Sequence, residues 1–142
     1  MGIIKAICIS SEKGTAKHEV EQAEVIMQHG LKGDAHAGEG NRQVSLLSLQ
    51  KIDEFRARGA EVQYGAFGEN LVVDGIDFAE LPVGTIFRSG EVQLEITQKG
   101  KECNTPCEIY HRMGDCIMPR EGIFAKVLQG GIIKKGDRID VE

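Results

Sequence analysis

The 142-residue chain has no run of Lys and Arg, and its 17 basic residues are outnumbered by 22 acidic ones, for a net charge of −5. A protein that grips a phosphate backbone concentrates positive charge on one face, so this balance argues against nucleic acid as a partner. No stretch approaches the ~20 apolar residues of a membrane span. Met1 to Ser10 carry one Lys and an apolar stretch too short for the core of a signal peptide, so a cytoplasmic location without membrane association is the expectation. The spacings of a phosphate-binding P-loop or a dinucleotide fingerprint are also missing. There is no repeat, linker or break in composition, and the length suits one domain over 1–142 that buries about two thirds of its unfolded surface. With 41% apolar and 27% charged residues the chain is not disordered, collagen-like or a coiled coil.

Glycine is abundant instead, at 18 residues, which is about twice average usage and indicates many turns between short strands. Ile3 to Ile9 reads as a buried first strand, while Glu19 to Met27 and Gly122 to Leu128 fit strand or helix equally. Gly30 to Asn41 reads as a loop. Gln43 to Leu47 reads as a strand entering a helix that Ser48 caps, with Leu49, Ile52 and Phe55 on one face and Gly59 at its end. Leu71 to Val73 is a short strand. Ile86 to Arg88 and Glu91 to Gln98 form the clearest hairpin, turning at Ser89-Gly90, with Val92, Leu94 and Ile96 alternating against Gln93, Glu95 and Thr97. Thr105-Pro106-Cys107-Glu108 has the form of a capping box opening a second helix that ends at Gly114. Ile132-Ile133 and Arg138 to Val141, around Lys135-Gly136-Asp137, read as a closing hairpin. Short strands with two short helices favour a mainly β domain, a barrel or a sandwich, over a doubly wound sheet.

Four cysteines without an export signal are read as reduced thiols, and Cys103, Cys107 and Cys116 fall within fourteen residues. Cys107, in the first turn of the expected helix, would meet unpaired backbone N–H groups and the positive end of the helix dipole, which favour the thiolate. Cys103 lies in the loop before it, flanked by Lys99 and Lys101, whose charges act in the same direction. Two other readings compete: the cysteines as small apolar fillers, and a structural zinc site built from Cys103, Cys107, His111 and Cys116. The zinc site departs from the usual C-x2-C knuckle, and Pro106 breaks any single helix through it. A second cluster, Asp34, His36, Asn41 and Arg42 in the glycine loop, would let a ligand approach backbone N–H groups while Arg42 holds a phosphate or carboxylate with two hydrogen bonds. A turn-rich connection with a solvated His fits that spacing equally. Gly65 to Leu71 is a third glycine-bearing turn able to line the same cavity.

In order, Gly33-Asp34-Ala35-His36-Ala37-Gly38, Arg42-Gln43-Val44-Ser45-Leu46-Leu47, Gly65-Ala66-Phe67-Gly68-Glu69-Asn70-Leu71, Gly100-Lys101-Glu102-Cys103 and Gly114 to Phe124 resemble the MOSC domain family over nearly the whole chain. These are small proteins similar to the C-terminal domain of molybdenum cofactor sulfurases. The resemblance implies a mostly β barrel, like that of pyruvate kinase, and a role in handling molybdenum cofactor or activated sulfur. It carries the family's essential cysteine, which follows a Thr-Gln strand end, onto Cys103 after Thr97-Gln98. Cys103 would then be a persulfide carrier or a molybdenum ligand, with Cys107 its rival or resolving partner. The family's anion-binding loop falls on Asp34, His36 and Arg42, with Asn70 and Lys101 nearby, as the place for molybdopterin. Relatives often have an aromatic and a His where Gly40-Asn41 stand here, so that imidazole's role does not transfer. The implied partners are a pyridoxal-phosphate cysteine desulfurase, a molybdoenzyme or a cofactor-biosynthesis protein. A binding module with no chemistry or cofactor of its own, and a molybdenum-dependent reductase of N-hydroxylated compounds, are the alternatives.

Overall fold

A computed structural model describes residues 2–11, 17–35, 37, 38, 40, 42–59, 62–99 and 122–142. Its strands are β1 (Gly2–Ile9), β2 (His18–Val20), β3 (Gln22–Ile26), β4 (Gly30–Leu31), β5 (Val44–Ser48), β6 (Leu71–Asp74), β7 (Ile86–Ser89), β8 (Val92–Lys99), β9 (Ile123–Gln129), β10 (Gly131–Lys134) and β11 (Arg138–Val141). One α-helix, α1 (Leu49–Ala57), and a 3-10 turn at Phe78–Glu80 complete the described elements. The order β11-β7-β8-β9-β5-β6-β1 is closed by pairing of β11 with the Gly2–Ile3 end of β1, which makes a barrel of seven strands, and β2 pairs with the other end of β1, at Ile7 to Ile9. Closure removes the open edges on which other chains could pair. A small sheet, β10-β3-β4, packs beside it.

Side-chain alternation sorts the residues into two cores. Ile4, Ile7, Leu46, Leu71, Val73, Leu94, Ile96, Ala125 and Val127 point into the barrel. Ala6, Cys8, Leu47, Val72 and Phe124 point outward and are covered by Ile52 and Phe55 of α1 and by Phe67. A register shift in β1 between Ile4 and Ala6 lets Ile4 and Ile7 both face inward while Ala6 and Cys8 face the helix. Each fully buried Leu or Phe side chain contributes about 1.5–3 kcal/mol of transfer free energy.

Both ambiguous segments are strands: Glu19 to Met27 divides into β2 and β3, and Gly122 to Leu128 is β9. The long hairpin is present with its turn one residue later, at Gly90-Glu91, because Ser89 pairs with Val92. The α1 boundaries follow the sequence reading, but Ser48 makes no capping hydrogen bond to the helix backbone, and its hydroxyl bonds the Gln50 side chain at 2.9 Å. The closing hairpin is a correction. The turn after Lys134 is there, with the Lys134 N–H donating to Asp137 Oδ2 at 2.9 Å, yet the flanking strands part company. β10 pairs with β3, whereas β11 pairs with β7 and β1. Ile133 and Ile139 are thus buried by different neighbours, and closing the barrel takes precedence over local pairing. The second expected helix lies outside the described residues.

Candidate functional site

One transverse row of backbone neighbours organises the candidate site. Gln98 on β8 pairs with Phe124 on β9, and Phe124 pairs with Ser45 on β5. The Asn70 N–H donates to the Ser45 carbonyl at 2.9 Å, and the Cys8 N–H donates to the Asn70 carbonyl at 2.7 Å. Adjacent strands stand about 4.8 Å apart, so Phe124 and Asn70 are separated by roughly 10 Å along this row.

Arg42 stands over the Phe124 end. Its Nε donates to Gln98 Oε1 at 3.2 Å, and its guanidinium carbon lies 5.3 Å from the Phe124 ring centroid. The donors on its two terminal nitrogens have no partner among the described residues, which leaves the fork that suits a carboxylate or phosphate facing outward. The backbone beneath it is fixed by Gln43, buried beside it. Gln43 Oε1 accepts from the Val127 N–H at 2.9 Å, and its Nε2 donates to the Gly40 carbonyl at 3.1 Å. Gly30 lets this loop close: with φ +126°, any Cβ there would stand 2.3 Å from the Gln43 carbonyl oxygen.

The other end of the row is a sealed polar cluster. Asp34 Oδ1 accepts from the Ser10 N–H at 3.1 Å and from Lys17 Nζ at 2.6 Å, and Asp34 Oδ2 accepts from Asn70 Nδ2 at 3.1 Å. Asn70 Oδ1 accepts from the Ser45 N–H at 3.0 Å, and Nδ2 also donates to the Cys8 carbonyl at 3.0 Å. The Lys17 and Asp34 side chains are 1% and 0% exposed. Burial alone would raise the Asp34 carboxyl, but hydrogen bonds from Lys17, Ser10 and Asn70 outweigh it and hold the group below its ordinary range. Both oxygens of Asp34 and both polar atoms of the Asn70 amide are therefore engaged within the protein. What they do here is tie the glycine loop, β1, β5 and β6 together.

Glu69 joins the cluster from the 64–70 turn. It is fully buried; Oε1 accepts from the Phe67 N–H at 3.0 Å, while among the described residues Oε2 has no hydrogen-bond partner, and neither has the Ser10 hydroxyl. Burial pushes its carboxyl up to about 6, against the opposing pull of the turn's N–H groups and of Lys17. The turn lies against Lys17: Gly65 has φ +92°, and a Cβ there would meet the Lys17 carbonyl oxygen at 2.3 Å. Cys8, in the outer core, is an inert thiol, pushed up to about 12 by burial and then by the Glu69 charge.

Of the sequence-derived candidates, the fold brings Asp34, Arg42 and Asn70 to one row, Arg42 at its exposed end and the other two at its sealed end. His36, Lys101, Cys103 and Cys107, with Asn41, His111 and Cys116, lie outside the described residues. Lys17 and Glu69 were not singled out. An isolated Lys carries no sequence signal that it is buried, whereas Glu69 sat inside the Gly65 to Leu71 motif. Among the described residues no three His, Cys, Asp or Glu side chains gather as a metal would need, and no helix is long and apolar enough to cross a membrane.

A closed, mainly β barrel with α1 packed on its outside, carrying an arginine fork next to the strand that leads to Cys103, defines a small barrel class. The family model of the MOSC domain matches residues 33–140, so the chain belongs to the MOSC domain family, which is associated with molybdenum cofactor-related functions. No curated protein matches it. Among solved structures, the YuaD protein of Bacillus subtilis is similar, with TM-score 0.82 at 19% identity, over 99% of this chain and 96% of that one. YiiM of Geobacillus stearothermophilus aligns with TM-score 0.77 at 19% identity over 100% and 75% of the two chains. YiiM of Escherichia coli aligns with TM-score 0.67 at 20% identity over 99% and 69%. At these identities the likeness is one of fold.

Proposed function

We propose that the protein handles activated sulfur or molybdenum cofactor through the Cys103 thiolate, with an anionic group of the substrate or cofactor held by Arg42. The observation that carries this reading is the register between β8 and β9: Lys99 pairs with Ile123 and Gln98 with Phe124, so the last described residue before Cys103 stands next to the pair that holds the arginine fork. Cys103 follows Lys99 by four residues, a reach of at most about 14 Å, and this tether favours it over Cys107, which is eight residues away.

Molybdenum cofactor fits this end of the row in one respect. The free edge of Arg42 suits the phosphate of a pterin cofactor, whereas Asp34 and Asn70 are engaged and support the loop. When bound, the cofactor would supply redox chemistry or accept sulfur, and Cys103 would be its thiolate ligand. As a carrier, the Cys103 thiolate attacks the outer sulfur of a donor persulfide. A new S–S bond forms on Cys103 and the donor cysteine leaves as a thiolate. A pyridoxal-phosphate cysteine desulfurase is the class of donor this requires.

The test is intact-mass and peptide-mass analysis after incubation with such a desulfurase and cysteine. One added sulfur on Cys103, lost in Cys103→Ser, is the expected result. No added sulfur on either Cys103 or Cys107 would remove the carrier role. Molybdoenzyme activity that survives Cys103→Ser in cells would establish a binding module instead.

A further inference from the structure

Arg42 is exposed, yet its guanidinium is held on two sides. Gln98 Oε1 takes the Nε donor, and the guanidinium carbon lies over the Phe124 ring, 5.3 Å from its centroid. Long side chains at a surface ordinarily sample many rotamers, and ordering one on ligand binding costs conformational entropy. A guanidinium already fixed at Nε and on one face presents its two terminal nitrogens as a pair with that cost largely removed. The loop beneath is also fixed, because buried Gln43 ties the residues on either side of Arg42 to β9. Gln98 and Phe124 are themselves paired across β8 and β9, so both holds come from a single place on the barrel.

We propose that Gln98 and Phe124 are positioning residues that hold the Arg42 fork in one orientation, so that the site takes an oxyanion offering two oxygens on one edge, a phosphate monoester or a carboxylate. This rests on the reading of Arg42 as the anion-holding residue. Gln98 occupies Nε and the Phe124 ring lies on one side, so the edge formed by the two terminal nitrogens is the one offered to a ligand. A lysine at position 42 could not reproduce it, since an ammonium has neither the stacking plane nor the paired donors.

The experiment is NMR of the Arg42 Nε–H group in the full chain, with and without added anion. In the free protein the Arg42 Nε–H is expected to be as ordered as the barrel backbone, and Gln98→Ala is expected to release it. Phe124→Leu should loosen it too, but Phe124 also packs under α1. Gln98→Ala, at the strand surface, is therefore the deciding variant, and its unchanged melting temperature confirms that the fold is retained. Titration with inorganic phosphate should shift the Arg42 signals, and Gln98→Ala should weaken that binding roughly threefold to tenfold. The same change should make no difference in an Arg42→Ala background. Acetate in a parallel titration separates the two anion sources. An Arg42 Nε–H as mobile as a free surface arginine, or a phosphate affinity indifferent to Gln98→Ala, overturns the positioning role. An ordered Arg42 that Gln98→Ala releases but that responds to neither anion overturns the anion reading and leaves the clamp.

Discussion

The two ends of one row of residues use polar side chains in opposite ways. At the Asn70 end, Asp34, Lys17 and Asn70 are sealed from solvent and hydrogen-bonded to one another and to β1 and β5. At the Phe124 end, Arg42 is exposed, held at one nitrogen and over the Phe124 ring, and its remaining donors have no partner among the described residues. A buried charged pair is not itself a large source of stability, but removing one partner leaves an uncompensated charge in a low-dielectric site. An exposed fork contributes little to folding and is available to a ligand. The comparison separates scaffold from proposed binding group within a set of residues that the sequence presents together.

The sharpest way to break the comparison is to truncate each end. Asp34→Ala should destabilise the fold by about 3–5 kcal/mol by removing the buried carboxylate to which Lys17, Ser10 and Asn70 donate, and Arg42→Ala by about 1 kcal/mol or less, both read by denaturant titration. Equal losses would show that the two ends do not differ in kind. Next, Gly65→Ala forces a Cβ into the Lys17 carbonyl at a left-handed φ and should cost about 2–4 kcal/mol. Gly68→Ala, with φ +85° and open space around it, should cost only the backbone strain, about 1 kcal/mol.

A pH series probes the sealed end directly. Glu69 binds its proton more tightly in the folded chain, at about 6 against an ordinary 4.5, so its contribution is complete below 4.5 and is lost as the pH rises to about 6. The shift corresponds to about 2 kcal/mol, and Glu69→Gln should abolish that part of the pH dependence of stability. Asp34 acts in the opposite sense. Its folded value is lowered, so its contribution is present above the ordinary 3.8 and disappears as the pH falls through the folded value. The smallest expected effect concerns Ser48: with no capping bond to the helix backbone, Ser48→Ala should cost less than about 0.5 kcal/mol, where a functioning cap would cost about 1.

Much of the barrel was legible in local pattern. Alternation of Val92, Leu94 and Ile96 marked β8, and Ile52 and Phe55 marked the buried face of α1. What local pattern does not contain is the choice of partner. β10 and β11 flank a tight turn, as hairpin strands do, but pair with β3 and with β7 and β1, because those distant strands bury Ile133 and Ile139. The same holds at the site. Asp34, Arg42 and Asn70 were legible as a polar set, while their division into sealed and open ends depends on Lys17 and Gln98, at sequence separations of 17 and 56 residues from Asp34 and Arg42. Glu69 was visible only as part of a turn, since burial is a property of what packs over a residue.

The proposed reactive sulfur is the remaining link, and Cys8 provides its internal reference, since burial pushes that thiol up to about 12 and makes it unreactive in the folded chain. The pH dependence of alkylation, resolved cysteine by cysteine in the wild type and in Arg42→Ala, measures directly whether an activated sulfur stands beside the fork. The account predicts that Cys103 titrates below the ordinary thiol value of about 8.5 and moves up toward it when Arg42 is removed, with Cys8 silent throughout. A Cys103 that titrates at or above the ordinary value, indifferent to Arg42, would contradict it.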